Sequence, residues 1–288
     1  MSEEATLIAE AINSLKSESS VFRDYLFPVV SGFFSAILGA CVAYFALGFQ
    51  ERNQLERSKL ITCNDWTITI EDLFQSLIAL KENYWSELGS HPFQRALAVR
   101  SLIDPRKSIE KNVADLSFLV PTKSDPDSLK VKWRSLSRIG GLISNYNTLL
   151  SIWEKRNSFE RPLREKLLNA CGDSAFAEIS HAEALRILGA KDLLSLIDLT
   201  ERAVMLTDDL VIETNNFLEE FPGAAKSVID MKRTKGFGTL IAFKNQDNPH
   251  LQDLLPRCPE LDCKPLVGLF GEPEEKIKEH YQSVYRNE

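Results

Sequence analysis

From Leu26 to Phe49 the chain reads LFPVVSGFFSAILGACVAYFALGF, twenty-four residues without a charge. At 1.5 Å per residue a helix of that length reaches about 36 Å, enough to cross a hydrocarbon core about 30 Å thick with some tilt. Backbone in lipid must bond to itself, so the pattern predicts one transmembrane helix over residues 26–49. A signal peptide would have a shorter apolar region, a basic start and small residues at its cleavage end. Here the preceding tail is acidic, and Tyr44, Phe45 and Phe49 occupy the far end. Pro28 falls in the first turn, where its missing N–H costs least.

Polarity changes at QERNQLERSKL, and an amphipathic pattern takes over. Cys63, Trp66, Ile70, Leu73, Leu77, Leu80 and Tyr84 follow alternating spacings of three and four, an a/d seam running from Trp66 through Tyr84. Phe74, Ile78 and Leu88 widen the stripe, which suits a bundle helix with several neighbours better than a two-stranded coil. With no Pro or Gly between Phe49 and Gly89, the spacing predicts one rod continuing to Leu88.

Further helices are predicted from Phe93, after Asp104-Pro105, over residues 128–155, 162–170, 174–188 and 191–220, and over 274–286. The expected breaks are Gly89-Ser90-His91-Pro92, the PTKSDPD loop, Cys171-Gly172 and Phe221-Pro222-Gly223. Gly140-Gly141 within 128–155 costs about 2 kcal/mol of propensity, so close packing or a kink is expected there. After Lys235, prolines concentrate at 249, 256, 259, 265 and 273, and the short apolar runs 239–243 and 266–270 suggest a minor two-stranded element.

The resulting fold class is all-α: an N-terminal transmembrane helix, then an antiparallel helical-bundle domain, with a small irregular or minor β C-terminal segment. The expected divisions are a tail over 1–25, the span over 26–49, the bundle over 50–235 and a Pro-rich segment over 236–288. Within the tail, Leu7, Ile8, Ala11, Ile12 and Leu15 share one helical face, as in a short interfacial helix or a frayed end.

The span carries an unusual face. Ser31, Ser35, Gly39 and Ala43 recur every fourth residue, with Gly32, Ala36 and Ala40 in a row beside them. Small residues let helices approach closely, which is how packing substitutes for the hydrophobic effect in lipid. A homo-oligomer formed through this face is the expectation.

The chain has 288 residues, 44% hydrophobic and 26% charged, so the region after the span has the composition of a folded domain. A net charge of −7 gives no footing for nucleic acid as a principal partner. Five cysteines, with Cys41 inside the span, do not make an even disulfide framework and fit a reducing compartment. Before the span stand Lys16 and Arg23; Arg52, Arg57 and Lys59 follow it closely. That bias predicts a single-pass protein of the cell membrane, its tail outside and its large C-terminal domain in the cytoplasm.

Candidate chemistry is sparse. Cys258 and Cys263, with His250 upstream and His280 downstream, are the one set of zinc-type donors at turn-like spacing, and would form a structural rather than catalytic site. Free cysteines more commonly serve as small buried hydrophobes, so no cofactor is expected beyond that structural zinc. Lys235-Gly236-Phe237-Gly238 copies the start of an RNA-recognition signature, but Thr239 and Ala242 replace later aromatics that would stack on bases. Phosphate-loop, dinucleotide, zinc-protease and nucleophile-elbow motifs are absent from the sequence. His91 and His181 stand near helix starts without a Cys or Ser partner in sequence, and catalytic residues are not indicated.

These features predict a membrane-anchored interaction or scaffold protein. It would contact lipid, self-associate through its span and present bundle surfaces to a protein partner. The alternative is a membrane-disrupting effector whose cytoplasmic helical domain restrains or triggers the span. In layout alone the chain is similar to single-pass effectors encoded by bacterial defence and prophage loci; no motif is shared.

Overall fold

The computed structural model describes residues 4, 6–10, 25–102, 108–121, 131–171, 180–283 and 285. Two compact units emerge, residues 1–57 and residues 58–288. The longest element, α1 (Phe27–Glu82), is a 56-residue helix that begins in the first unit and ends in the second. A 3-10 turn, Trp85–Glu87, follows it.

In the first unit the apolar part of α1 is exposed among the described residues. None of its most apolar eighteen-residue stretch is buried. Phe33, Phe34, Leu38, Val42, Phe45 and Phe49 are all exposed, as are Ser31, Gly32, Ser35, Ala36, Gly39, Ala40 and Ala43. Residues 6–10 are helical and exposed; the rest of the predicted amphipathic tail lies outside the described residues.

The second unit has a helical, bundle-like packing. Its elements are α2 (Pro92–Ala98), a 3-10 stretch Val113–Leu119, α3 (Leu136–Cys171), α4 (His181–Leu188), α5 (Ala190–Lys226), α6 (Pro249–Leu254), α7 (Lys264–Phe270) and α8 (Glu274–His280). The larger core joins Trp66, Ile70, Leu73, Leu77 and Leu80 of α1, and Tyr84 just beyond it, to Trp153 of α3 and Phe217 of α5. All six of these seam residues are buried. A smaller core gathers Phe93, Leu163, Leu167, Leu188, Leu196, Leu266 and Ile277. Gly140 sits where Val113 comes close: a Cβ added there would meet Val113 Cγ2 at 3.4 Å.

Several predicted boundaries are corrected. Residues 136–171 form one helix rather than two, with Pro162 inside it. Pro222 likewise lies within α5 rather than ending it. A proline in a helix interior costs about 3 kcal/mol, since it removes one bond and crowds a carbonyl. Burial on both sides outweighs that cost: Glu160, Leu163 and Leu167 flank Pro162, and Phe217, Phe221, Ala224 and Ala225 flank Pro222. The break that does form between α4 and α5 sits on Gly189, whose φ of 81° is the left-handed conformation that glycine adopts without strain. The predicted starts near Asp104-Pro105, Ser128 and Ser174 lie outside the described residues.

The minor β element is also corrected, since no strand occurs among the described residues. Leu266–Phe270 belongs to α7, which has Pro265 in its first turn and ends on Gly271 in the left-handed region. Residues 239–243 have no regular secondary structure and find another partner. The Asn64 side chain donates to Thr239 O at 2.9 Å and accepts from Ile241 N at 2.9 Å. One amide on α1 thus supplies the pairing that a neighbouring strand would have supplied. The final helix spans only Glu274–His280.

Candidate functional site

The chemistry of the second unit is concentrated where the C-terminal segment crosses α1 and α5. Along α5, Glu201 and Asp208 lie seven residues apart and so share a helical face, with Asp209 beside the latter. All three are buried. An ionised carboxylate leaves water at high cost unless it is paired, and each has a cation from a different element. Lys81 Nζ of α1 lies 2.6 Å from Asp208 Oδ1, Arg95 Nε of α2 is 2.7 Å from Glu201 Oε1, and Arg257 Nη2 of the C-terminal segment is 2.6 Å from Asp209 Oδ1.

The same groups hold the C-terminal segment by its backbone. Lys81 Nζ donates to Pro256 O at 2.6 Å, Cys258 N donates to Asp208 Oδ2 at 2.7 Å, and Arg95 Nη1 donates to Pro259 O at 2.7 Å. Ser283 Oγ closes the far end on Asp209 Oδ1 at 2.6 Å. The ion pairs therefore act as clamps on a strap, residues 256–283, that carries only short helices and, among the described residues, no strand. Buried pairs of this kind add little net stability over an apolar core.

Arg156, from α3, supports the arrangement from behind. Its guanidinium donates to Ala96 O at 3.2 Å, Arg100 O at 3.3 Å, Thr200 Oγ1 at 3.1 Å and Val99 O. The carbonyls of Ala96, Val99 and Arg100 lie at and beyond the C-terminal end of α2, where helix carbonyls lack partners within the helix, and Thr200 belongs to α5. Burial lowers the Arg156 pKa to about 10.

Between α2, α5 and the strap lies a cavity of about 320 Å³. Arg95, Glu201, Asp208, Arg257, Cys258 and Tyr281 are among its lining residues. Burial raises the Glu201 carboxyl above its ordinary range despite Arg95, and pushes the Cys258 thiol up to about 12 with help from Asp208. Cys263, also on the lining, is raised by burial. Thiols held protonated in this way are poor nucleophiles. The site is built to hold groups in place and offers no activated nucleophile among the described residues.

The zinc-type donors do not converge. Cys258 Sγ contacts Asp208 Oδ1 at 3.5 Å, and Cys263 Sγ contacts Leu261 O at 3.7 Å. His250 pairs with Glu82, while His280 Nε2 lies 3.2 Å from Asp198 Oδ1. Among the described residues no three His, Cys, Asp or Glu side chains are grouped to hold a metal ion. Lys235 to Phe237 lie in a turn after α5, and neither they nor Gly238 are on a strand.

Two features had only faint signals in sequence. His91 and His181 stack with ring centres 4.0 Å apart and planes at 5°, with Phe93 packed against both. Burial and the neighbouring His181 lower the His91 pKa, against a raising influence from Asp262. Both histidines were visible at helix starts, but their pairing needed the fold. The clamp acids were visible as acidic residues inside the apolar stripe of α5, and that interruption was the signal available. No family model matches the chain, and neither a curated protein nor a solved structure does.

Proposed function

We propose that the protein is a single-pass, membrane-anchored helical interaction protein. It self-associates through the small-residue face of α1 and presents its helical domain, on the cytoplasmic side, to a protein partner. The observation that carries this reading is the uncovered apolar half of α1. Each large apolar side chain left in water forfeits about 1.5–3 kcal/mol, and at least six are left so between Phe33 and Phe49. Lipid is the solvent that removes the cost for a helix of this length.

Close helix packing is supported by Gly32 and Gly39, around which a Cβ would meet nothing within 4 Å. That open surface accepts a second backbone. The buried clamps and protonated thiols favour a holding role over catalysis.

The test is a two-part measurement on the full chain. Membrane fractionation with protease protection should leave the protein in the bilayer with its C-terminal domain on the cytoplasmic face. A transmembrane self-association reporter should give a signal that Gly39→Ile reduces by about tenfold, the size expected for losing one close helix contact. Recovery of the chain from cytosol without detergent would defeat the reading. Rapid depolarisation of the membrane on induced expression would assign the protein to the membrane-acting effectors instead.

A further inference from the structure

We propose that the basic turn after α5 is a membrane-docking surface for anionic phospholipid headgroups. The proposal rests on the reading of α1 as a span, because only an anchored domain is held beside a bilayer. The whole chain is acidic, with a net charge of −7, yet residues 226–244 run against it. Lys226, Lys232, Arg233, Lys235 and Lys244 share that stretch with a single acid, Asp230. Arg233 Nε takes Asp230 Oδ2 at 3.1 Å. The four lysines are exposed, and among the described residues none of them has an ion-pair partner. Their charge is therefore available to a surface of the opposite sign.

The turn is built to hold one shape. Thr234 is fully buried, and its hydroxyl donates to Met231 O at 3.1 Å. Phe237 N donates to Thr234 O at 2.9 Å, and Gly236 between them has a φ of 81°, which glycine adopts without strain. A Cβ added at Gly238 would meet Leu60 Cδ2 at 3.7 Å, and the Asn64 amide pins Thr239 and Ile241. Fixed on both sides in this way, the turn still leaves the Phe237 ring 47% exposed, two residues from Lys235. An exposed apolar ring among lysines is the composition of an interfacial anchor. The ring enters the boundary between headgroups and acyl chains, and the cations stay with the phosphates.

The chain also tethers the turn within reach. Leu60 follows Phe49, the end of the apolar run, by eleven residues, about 16 Å of rise along α1. Headgroups cover about 5–8 Å on each side of the hydrocarbon core. What remains is about one Debye length at physiological salt, so a turn packed on Leu60 stays within range of surface charge. The cytoplasmic leaflet, which the proposed topology places beside the domain, is the negatively charged one. RNA also offers phosphates, but Thr239 and Ala242 stand where its stacking aromatics would be needed.

The experiment places the full chain in lipid nanodiscs, one set of phosphatidylcholine alone and one enriched in phosphatidylserine. Co-elution with the discs reads the anchor. Acetylation rates of individual lysines, followed by peptide mass spectrometry, read the docking. Lys232 and Lys235 should react at least about threefold more slowly in the anionic discs, since each cation near such a surface is worth about fivefold in binding. Lys264 should react equally in both, because nearby Asp262 bonds Ser90, beyond the far end of α1. Salt at about 0.5 M should remove most of the difference. Phe237→Ser should reduce the protection of Lys235 without lowering the Tm. Equal rates in the two lipids, with the chain in the discs, would overturn the proposal and leave the anchor standing. Failure to co-elute would defeat the anchor and the docking together. Protection by added RNA on neutral discs, and none by phosphatidylserine, would assign the turn to nucleic acid instead.

Discussion

Lys81 and Asp208 meet at 2.6 Å with side chains 1% and 5% exposed, joining the end of α1 to the middle of α5. The two also hold successive parts of the strap, Lys81 through Pro256 O and Asp208 through Cys258 N. Removing one partner leaves the other charge buried alone, which costs about 3–5 kcal/mol. Asp208→Ala should therefore lower stability by about that amount in denaturant titrations of the detergent-solubilised chain. The double variant Lys81→Met/Asp208→Ala should be more stable than Asp208→Ala alone, because no orphan charge remains. Equal stability of the two variants would show that the pair is not the source of the cost.

The Asn64 amide stands in for a strand edge along residues 239–241. Asn64→Ala removes both bonds and should cost about 1–2 kcal/mol. Hydrogen exchange should localise the effect, with the Ile241 amide losing protection while α3 and α5 keep theirs. Uniform loss across the unit would contradict a local clamp.

The stacked histidines set a pH dependence. Folding lowers the His91 pKa, so within the window from that lowered value up to the ordinary histidine value the unfolded chain binds more protons. Stability consequently rises with pH through this window and is lost as pH falls through it. The Tm of the wild type should drop between about pH 7 and pH 5, and His91→Gln should flatten the drop. A Tm independent of pH in both proteins would count against this account.

Burial raises the thiols of Cys63 and Cys258 to about 12. Both should resist iodoacetamide at pH 8 in the native protein and react at ordinary rates once denaturant is added. Peptide mass spectrometry resolves each site. Rapid native alkylation of Cys258 would mean that the strap opens often enough to expose it.

Local pattern determined the elements whose surroundings did not matter. An uncharged run of twenty-four residues specifies a helix long and apolar enough to cross a membrane, and the spacing from Trp66 to Tyr84 specifies one buried face whatever packs there. Tertiary structure decided the cases in which local propensity was outvoted. Pro162 and Pro222 stay inside helices because flanking side chains are buried on both sides, a sum that no local window contains. Residues 239–243 form no strand, and an amide 177 positions away from Ile241 pairs with Thr239 O and Ile241 N. The clamp cations come from α1, α2 and the strap, and the acids from α5, so the site exists only when those elements meet. Helical periodicity is written in neighbours along the chain, whereas charge compensation depends on neighbours in space.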